Sequence, residues 1–291
     1  MKSPFCIIRL RSEVDARRLI RRSILALAIF ELWGFGTDYD SLHDDIRNRT
    51  SHLWQQYLDG SFRFSVECFQ GSRSAAQQRD IIEGFSYLGF EGPIRMKGAD
   101  HEFVVHEHFD TSRSEEPSSV YLGRLVGIGG RSVVDRFSLK KRRYINTTSM
   151  DAELALITAN LALAAPGKLC CDPFVGTASF PIACAHFGAL SIGSDMDGRT
   201  IRGKGGRNIV TNFDQYDLQS YWLDGFTADM TNSPLRMDRF LDAVLCDPPY
   251  GIREGLKVLG RKDGVVGGPI YIDGVLAHTY IIFSLTLQDI Y

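Results

Sequence analysis

The sequence predicts an α/β fold in two parts, an N-terminal α+β region followed by a parallel, doubly wound sheet. Up to about Asp110, helix and strand signals are mixed, as in α+β modules. From Lys168 onward, short apolar strands alternate with helical segments, which is typical of a parallel sheet. This second part starts with a strand, a glycine-containing turn and a helix, which indicates the first half of a βαβ unit.

The length of 291 residues agrees with two packed domains rather than one. We predict that residues 1–138 form the first domain and residues 139–291 the second. The stretch 111–119 is rich in Ser, Glu and Pro, which indicates a long loop inside the first domain.

Apolar periodicity and capping residues predict two of the helices. One runs from residue 14 to about residue 30 and has an arginine-rich face opposite an apolar one. The other runs from residue 150 to residue 165, begins at Thr148 or Ser149 as its N-cap, and stops at Pro166 and Gly167.

The formal net charge of −2 means that no overall positive field attracts nucleic acid. Contact with RNA would therefore need a local basic patch. The clearest patch comprises Lys140, Lys141, Arg142 and Arg143. A short basic run is often a solvated linker, so both interpretations stay open, and these four are candidate RNA-binding residues.

Cysteine usage and hydropathy exclude several classes of protein. The six cysteines show no Cys-x-x-Cys spacing, which argues against a zinc site and favours a reduced, cytoplasmic location. His106 and His108 share one face of a predicted strand without a third ligand in view, so we predict no metal site there. No apolar stretch is long enough to span a bilayer and no signal peptide is visible, so no membrane association is expected.

The clearest nucleotide-binding signal is a strand over 169–172 that leads through a glycine-containing turn into a helix running to about residue 187. The next strand, 189–193, is followed by Asp195, at the distance where such units carry an acceptor for ribose hydroxyls. The turn is not Gly-x-Gly-x-x-Gly, which argues against NAD or FAD. A cofactor without a pyrophosphate has less need of paired glycines, and S-adenosylmethionine fits that description.

A third strand end, over 226–230, carries Asp229, whose carboxylate can accept a hydrogen bond from an adenine amino group. Taken singly, each of these Asp residues is more often a helix cap or a loop residue. Acids at successive strand ends, in register with a turn and a helix, favour a cofactor site instead. The candidate cofactor-binding residues are Asp172, Phe174, Gly176, Thr177, Asp195, Met196 and Asp229.

The tetrapeptide Asp247-Pro248-Pro249-Tyr250 follows an apolar run, 243–246, that indicates a buried strand. An exocyclic amine of a nucleobase is a poor nucleophile because its lone pair is delocalised into the ring. The Asp247 carboxylate and the Pro248 carbonyl can hold its N–H groups out of that conjugation, and Tyr250 offers a face on which an extruded base stacks. The same four residues also suit an ordinary turn. We take Asp247, Pro248 and Tyr250 as candidate catalytic residues.

Several motifs, taken as a set, resemble a known family. They are residues 62–67, 69–71 and 85–94 in the first part, and 143–151, 171–177, 183–189 and 247–254 in the second. The set resembles the catalytic subunits of the eukaryotic tRNA (guanine(10)-N2)-methyltransferases, and the resemblance extends to about residue 277. It implies an N-terminal α+β THUMP-like RNA-binding module followed by a Rossmann-like class I methyltransferase domain.

The resemblance also implies a reaction, the transfer of a methyl group from S-adenosylmethionine to the N2 amine of guanosine-10 in tRNA, with Asp247 binding that amine. The family's cofactor positions fall on Asp172, Gly176, Asp195 and Asp229. Family members work with a small zinc-binding activator subunit, which implies a heterodimer. Ala178 departs from the family pattern, which usually has a glycine there, and we expect this change to tune cofactor affinity.

The end of the chain departs further from the family pattern. About forty residues follow Tyr250, and the final apolar run, 280–287, is too short for the helix and strands that complete the family's sheet. We therefore expect an incomplete parallel sheet in a fragment whose activity is open. Two other functions also stay open. One is methylation of adenine N6 or cytosine N4 in a nucleic acid, and the other is RNA binding without catalysis.

Overall fold

The structure is a computed structural model that describes residues 4–112, 114–230, 233–236, 239–248, 271–272 and 275–276. The chain divides into two compact units, Met1–Arg131 and Ser132–Tyr291. The domain boundary expected from the sequence, between residues 138 and 139, lies a little farther along the chain and stays a prediction.

The first unit is built on a four-stranded sheet. Its strands are β1 (Ala28–Gly36), β2 (Phe62–Phe69), β3 (His101–His108) and β4 (Ser119–Ile128). They lie in the order β1-β4-β3-β2, with β2 parallel to β3 and the other neighbours antiparallel. The helices are α1 (Glu13–Arg22), α2 (Tyr39–Thr50) and α3 (Ala75–Glu83), and 3₁₀ turns cover Ser51–Tyr57 and Ser86–Leu88. The predicted α+β character of this region is confirmed.

The core of the first unit lies between the sheet and α2. Trp33, Leu42, Ile46 and Phe103 are fully buried there. Gly34 allows α2 to approach β1 closely, because a Cβ atom at that position would lie 2.3 Å from Cγ1 of Ile46. Burying side chains of this size stabilises the fold by about 1.5–3 kcal/mol each, so apolar packing holds α2 on the sheet.

Helix α1 ends at Arg22, so the prediction that it continues to about residue 30 is wrong. The Ser23 hydroxyl accepts a hydrogen bond from the Ala26 amide at 3.1 Å, and the Ser23 carbonyl accepts one from the Gly130 amide at 2.7 Å. These bonds turn the chain, and the residues from Ala28 onward then pair with β4. Strand pairing overrides the local helix signal in this segment.

The second unit contains the parallel sheet. Its strands are β5 (Leu169–Asp172), β6 (Leu190–Asp195), β7 (Trp222–Thr227) and β8 (Ala243–Val244), and β9 (Tyr271–Ile272) and β10 (Val275–Leu276) form a separate antiparallel pair. The helices are α4 (Ser132–Arg136), α5 (Ala152–Leu161), α6 (Ser179–His186), α7 (Gly198–Arg202) and α8 (Ile209–Gln215), with a 3₁₀ turn over Gln219–Tyr221. The main sheet has the order β7-β6-β5-β8 with parallel neighbours, which confirms the predicted sheet.

Helix α5 begins at a different cap from the predicted one. The Asp151 carboxylate accepts hydrogen bonds from two backbone amides of the first turn, at 2.8 and 3.4 Å. The hydroxyl of Ser149 contacts Oγ1 of Thr177 at 2.7 Å instead. Asp151 is therefore the N-cap of α5, and the prediction of Thr148 or Ser149 as the cap is wrong. The Ser149 hydroxyl is engaged in the contact with Thr177 instead.

The expected incomplete end of the sheet falls on residues that lie outside the described ones. Within the described residues, no helix has both the length and the apolar character needed to cross a membrane. The same part of the chain contains no group of three or more His, Cys, Asp or Glu side chains that could hold a metal ion.

A buried carboxylate ties together three elements of the first unit. Glu107 of β3 is fully buried and accepts hydrogen bonds from the Arg73 guanidinium at 2.8 to 3.1 Å. The Tyr39 hydroxyl at the start of α2 donates to the same carboxylate at 3.0 Å. Burial together with the Glu107 charge and hydrogen bond raises the pKa of Tyr39 well above its usual range. Glu107 is therefore a buried charge with its partners in place.

We predict that Glu107→Ala lowers the free energy of unfolding of the first unit by about 3–5 kcal/mol, because it leaves the Arg73 guanidinium buried without its anion. Glu116 provides the matched control. Its carboxylate also pairs with the Arg73 guanidinium, at 3.4 Å, but its side chain is 81% exposed. Glu116→Ala should change the same quantity by less than about 1 kcal/mol. Denaturant unfolding measures both, and equal effects of the two substitutions would contradict the prediction.

Candidate active site

The strand order of the second unit creates a switch point between β5 and β8. Strand β5 lies between β6 and β8, so the chain leaves β5 toward β6 and β7 and later crosses to its other side. Ligands of open α/β sheets bind outside the carboxyl ends of the strands at such a point. Asp172 ends β5, and Asp247 follows β8 shortly after Leu245, whose amide still pairs with the Cys171 carbonyl at 2.9 Å.

Asp172 is a buried acid with little to compensate a negative charge. Its side chain is almost fully buried, and Oδ1 accepts a hydrogen bond from the Phe174 amide at 3.0 Å. Burial, opposed by the hydrogen bond from the Phe174 amide and reinforced by the charges of Asp195 and Asp247, raises the pKa of Asp172 to about 8. Burial therefore favours the protonated form of this carboxyl.

Asp195, at the end of β6, joins two turns. Its Oδ2 accepts a hydrogen bond from the Gly176 amide at 3.0 Å, and its Oδ1 accepts one from the Asp197 amide at 2.9 Å. Gly176 has φ of 48°, in the left-handed region that glycine adopts most easily. The carboxylate therefore fixes the turn after β5 against the turn after β6, at the edge where the sequence predicts a cofactor.

Ala178 adopts a conformation that glycine adopts more easily than alanine. It is the N-cap of α6, has φ of 67°, and is fully buried. A left-handed conformation costs an alanine about 1–2 kcal/mol, whereas glycine adopts it without that cost. The expected effect of Ala178 on cofactor affinity stays a prediction.

Asn212 of α8 links this turn to the preceding segment, and it was not among the residues singled out from the sequence. Its side-chain amide nitrogen donates to the Tyr144 carbonyl at 2.8 Å and to the Thr177 carbonyl at 3.2 Å, and Oδ1 accepts from the Tyr144 amide at 2.9 Å. It is fully buried. The sequence signal that could have identified Asn212 is a side-chain amide on the helix face that carries the apolar residues Ile209 and Phe213.

The remaining predicted residues surround the same carboxyl end. Asp229 follows β7 and is buried, and the neighbouring Ala228 amide donates to the Asp195 carbonyl at 3.2 Å. Met196 is half-buried directly after Asp195. Pro248 and Asp247 are half-buried, whereas Pro249 and Tyr250 lie outside the described residues. Burial raises the pKa of Cys246 to about 11, with smaller contributions from the charges of Asp172 and Asp247. The thiol is therefore close enough to both carboxyls to feel their charges.

The basic run divides into exposed and buried residues. Lys140 and Arg143 are exposed, and Lys141 is exposed while paired with Asp135. Arg142 is buried, donates to the Ser179 hydroxyl at 2.7 Å and to the Phe137 carbonyl at 3.2 Å, and burial lowers its pKa. Its guanidinium anchors the segment to α6, so we leave Arg142 out of the surface patch and retain the other three as predictions.

Comparisons with known proteins show which proteins this chain is similar to. Residues 1–131 match the family described as the Tmrp11 THUMP N-terminal domain. A Saccharomyces cerevisiae protein named tRNA (guanine(10)-N(2))-methyltransferase is 46% identical over 269 residues, which cover 90% of this chain and 62% of the yeast protein. A protein of the same name from Schizosaccharomyces pombe is 44% identical over 261 residues, covering 89% and 55%.

This chain thus spans about three fifths of the length of these relatives. Among solved structures, the crystal structure of TrmN from Thermus thermophilus is 20% identical to it. That match covers 78% of this chain and 64% of the TrmN chain, with a TM-score of 0.39.

We predict that Asp172→Asn removes one component of the pH dependence of stability. The pKa of Asp172 in the folded chain, about 8, lies above the value of about 3.9 that is ordinary for an aspartate. The protonated carboxyl therefore makes its full contribution to the stability of the fold below about pH 4, and this contribution is lost as the pH rises to about 8. Asparagine keeps the acceptor for the Phe174 amide without that titration. Melting temperatures between pH 5 and pH 9 should therefore fall less steeply in the variant.

Asp214→Asn, which changes an exposed carboxyl on α8, is the control for this measurement. It should follow the wild-type pH profile. A profile of Asp172→Asn parallel to that of the wild type would show that Asp172 ionises normally.

Proposed function

We propose that this chain, which belongs to the family of the tRNA (guanine(10)-N(2))-methyltransferases, transfers a methyl group from S-adenosylmethionine to the N2 amine of guanosine-10 in tRNA. The observation that carries the proposal is the meeting of Asp172 and Asp247 at the switch point of the parallel sheet. Asp172 lies at the strand end that leads into the proposed cofactor turn. Asp247 is the first residue of the tetrapeptide that would hold the amine. The names and identities of the relatives support the choice of tRNA and guanine.

The acids at the carboxyl end of the sheet fit the chemical groups of the cofactor. S-adenosylmethionine supplies an electrophilic methyl group on a sulfonium, and it also carries an ammonium, ribose hydroxyls and an adenine amine. Asp172, Asp195 and Asp229 would accept hydrogen bonds from such donors, and Phe174, Gly176, Thr177 and Met196 would line the turns beside them. A cation near Asp172 favours its ionised form, so the raised pKa of the free chain is consistent with a site for a cationic ligand.

Asp247 and Pro248 would position the attacking amine. The carboxylate of Asp247 and the carbonyl of Pro248 are two acceptors on consecutive residues directly after β8. Hydrogen bonds from both N–H groups turn the nitrogen lone pair out of the guanine ring system. Positioning of this kind, rather than a strong base, supplies most of the rate enhancement in a direct displacement.

The proton balance also falls on Asp247. As the new nitrogen–carbon bond forms, the bond between the methyl carbon and the sulfonium sulfur breaks and S-adenosylhomocysteine leaves. The N2 nitrogen gains positive charge, and its protons become acidic. The Asp247 carboxylate, already bonded to one N–H, takes that proton after the methyl group has moved. Tyr250, from the sequence alone, would stack on the extruded base.

Two partners belong to the proposal. The N-terminal unit, which matches a THUMP N-terminal domain, would bind the tRNA. A small zinc-binding activator subunit would form a heterodimer with the methyltransferase unit, an expectation that rests on the family resemblance.

We predict that Asp247→Ala lowers turnover at least about 100-fold and leaves cofactor binding largely intact. The substitution removes the carboxylate that accepts a hydrogen bond from the amine before transfer and accepts its proton afterwards. Labelled methyl transfer to unmodified tRNA measures turnover, and calorimetric titration with S-adenosylmethionine measures binding. Asp247→Asn, which keeps an acceptor oxygen, should lose less. Full turnover by Asp247→Ala would overturn the assignment.

Nucleoside analysis of the product tests the substrate base in the same experiment. The proposal requires N2-methylguanosine at position 10. Methylated adenosine or cytidine would support the alternative amino-methyltransferase, and cofactor binding without product would support RNA binding without catalysis.

A second prediction concerns the cofactor alone. Asp195→Ala should weaken S-adenosylmethionine binding at least about tenfold, because it removes a hydroxyl acceptor and frees the turn at Gly176. Asp224→Ala, at an exposed carboxyl on the neighbouring strand β7, should leave the dissociation constant unchanged. Equal affinity of wild type and Asp195→Ala would remove Asp195 from the site.

A further inference from the structure

A tight hairpin follows α7, separate from the acids at the carboxyl ends of the strands. The amide of Lys204 donates to the Arg207 carbonyl at 2.9 Å, and the Arg207 amide donates to the Lys204 carbonyl at 3.1 Å. The two residues between them, Gly205 and Gly206, have φ of 60° and 74°, which is the pattern of a type I′ turn. The chain is therefore folded back on itself over four residues.

Gly203 fixes where this hairpin starts. Its φ of 75° and ψ of −167° lie in a region that is essentially restricted to glycine. A Cβ atom there would also lie 1.9 Å from the Arg207 carbonyl oxygen. In contrast, Gly205 and Gly206 have no atom within 4 Å of the position of a Cβ atom, so they serve the turn geometry alone. The sequence thus specifies the hairpin by backbone conformation.

The hairpin brings two positive side chains together. Lys204 and Arg207 are directly opposite each other in an antiparallel bridge, so their side chains project from the same face. Both are exposed, and no carboxylate of the described residues forms an ion pair with either. Like charges directly opposite each other destabilise such a pair, so the hairpin presents a charge that an external anion would neutralise.

A groove adjoins this hairpin within the same unit. It has a volume of about 380 Å³ and is lined by Tyr144, Asn146, Arg199, Thr200, Gly203 and Lys204. Its walls are held together by the Tyr144 hydroxyl, which donates to the Thr200 carbonyl at 2.7 Å. A volume of this size admits a nucleotide unit, and an aromatic ring, an amide and cations are the groups that bind nucleic acid backbones and bases.

The cations of the groove differ in their availability. Arg199 forms hydrogen bonds of 2.8 to 3.2 Å with both carboxylate oxygens of Asp197, so its charge is largely compensated. Lys204 and Arg207 have no such carboxylate partner within the part of the chain that the structure describes. Because the chain as a whole has a net charge of −2, attraction of RNA depends on such local patches.

We propose that this groove and the hairpin beside it, together the Lys204 groove, bind backbone phosphates of the RNA substrate. The proposal rests on the proposed function and adds a location for part of the RNA. The Lys204 groove lies next to the cofactor turns, since Tyr144 shares Asn212 with Thr177 and Arg199 follows Asp195 by a few residues. RNA held there would cross the second unit close to the methyl-transfer site.

The test is the salt dependence of tRNA binding. The variant Lys204→Ala/Arg207→Ala should bind unmodified tRNA at least about tenfold more weakly than wild type in low salt. The slope of the logarithm of the association constant against the logarithm of salt concentration should become shallower by about two, one for each lost phosphate contact. Filter binding over a series of KCl concentrations measures both quantities.

Lys168→Ala is the matched control for Lys204→Ala. Lys168 is also an exposed lysine of this unit, but it precedes β5 at the amino end of the sheet and pairs with Asp242 at 2.8 Å. Lys204→Ala alone should make the slope shallower by about one, and Lys168→Ala should leave it unchanged. Titration with S-adenosylmethionine verifies that each variant is folded and should give the wild-type affinity.

Each other outcome has a distinct meaning. If wild type binds no unmodified tRNA in low salt, the proposed function fails together with the Lys204 groove. If wild type binds and methylates tRNA but the double variant has the same affinity and slope, only the Lys204 groove is overturned. If the double variant loses affinity for S-adenosylmethionine, the groove is part of the cofactor site and the inference is overturned.

Discussion

The Asp195 carboxylate holding the Gly176 and Asp197 amides is the interaction on which the rest of the site depends. The turn after β5 and the turn after β6 are far apart in sequence, and each would otherwise present unpaired amides at a strand end. One carboxylate satisfies both and sets their separation. The parallel register of β5 and β6 brings the acid to this point, since Asp172 pairs with Gly193 and Asp195 lies just beyond. The pairing of β5 with β6 therefore also fixes the position of Asp195 relative to the two turns.

The two units contain buried acids of opposite kinds. Glu107 has a guanidinium, a phenol and a thiol around it, so its charge is compensated inside the fold. Among the described residues, Asp172 accepts one hydrogen bond from a backbone amide and is repelled by other acids. A buried carboxyl without a cation costs stability, and proteins retain such groups mainly at functional sites. The contrast distinguishes Glu107, whose partners are in place inside the fold, from Asp172, for which we propose a role in cofactor binding.

The strand, turn and helix of residues 169–187 and the acids at the strand ends were predictable from the sequence because each signal is local. The acid positions follow from where apolar runs stop, and the parallel sheet follows from alternation. The end of α1 was not predictable in this way, since β4 is distant in sequence and its pairing overrides the helix signal. The burial of Arg142 likewise depends on Ser179 of α6. A basic run predicts charge, but packing decides which of its members reach the surface.

The contacts of Asn212 have a further consequence for how this part of the molecule opens. The side-chain amide of Asn212 bonds to the backbone at Tyr144 and to the turn at Thr177, while Gln215 on the same helix bonds to the backbone of Lys141 and Arg143. The basic run, the turn after β5 and α8 are therefore linked by one set of hydrogen bonds. Their amide hydrogens should exchange with solvent as one cooperative unit, so that ordering the turn around a ligand also orders residues 141–144 near the start of the second unit.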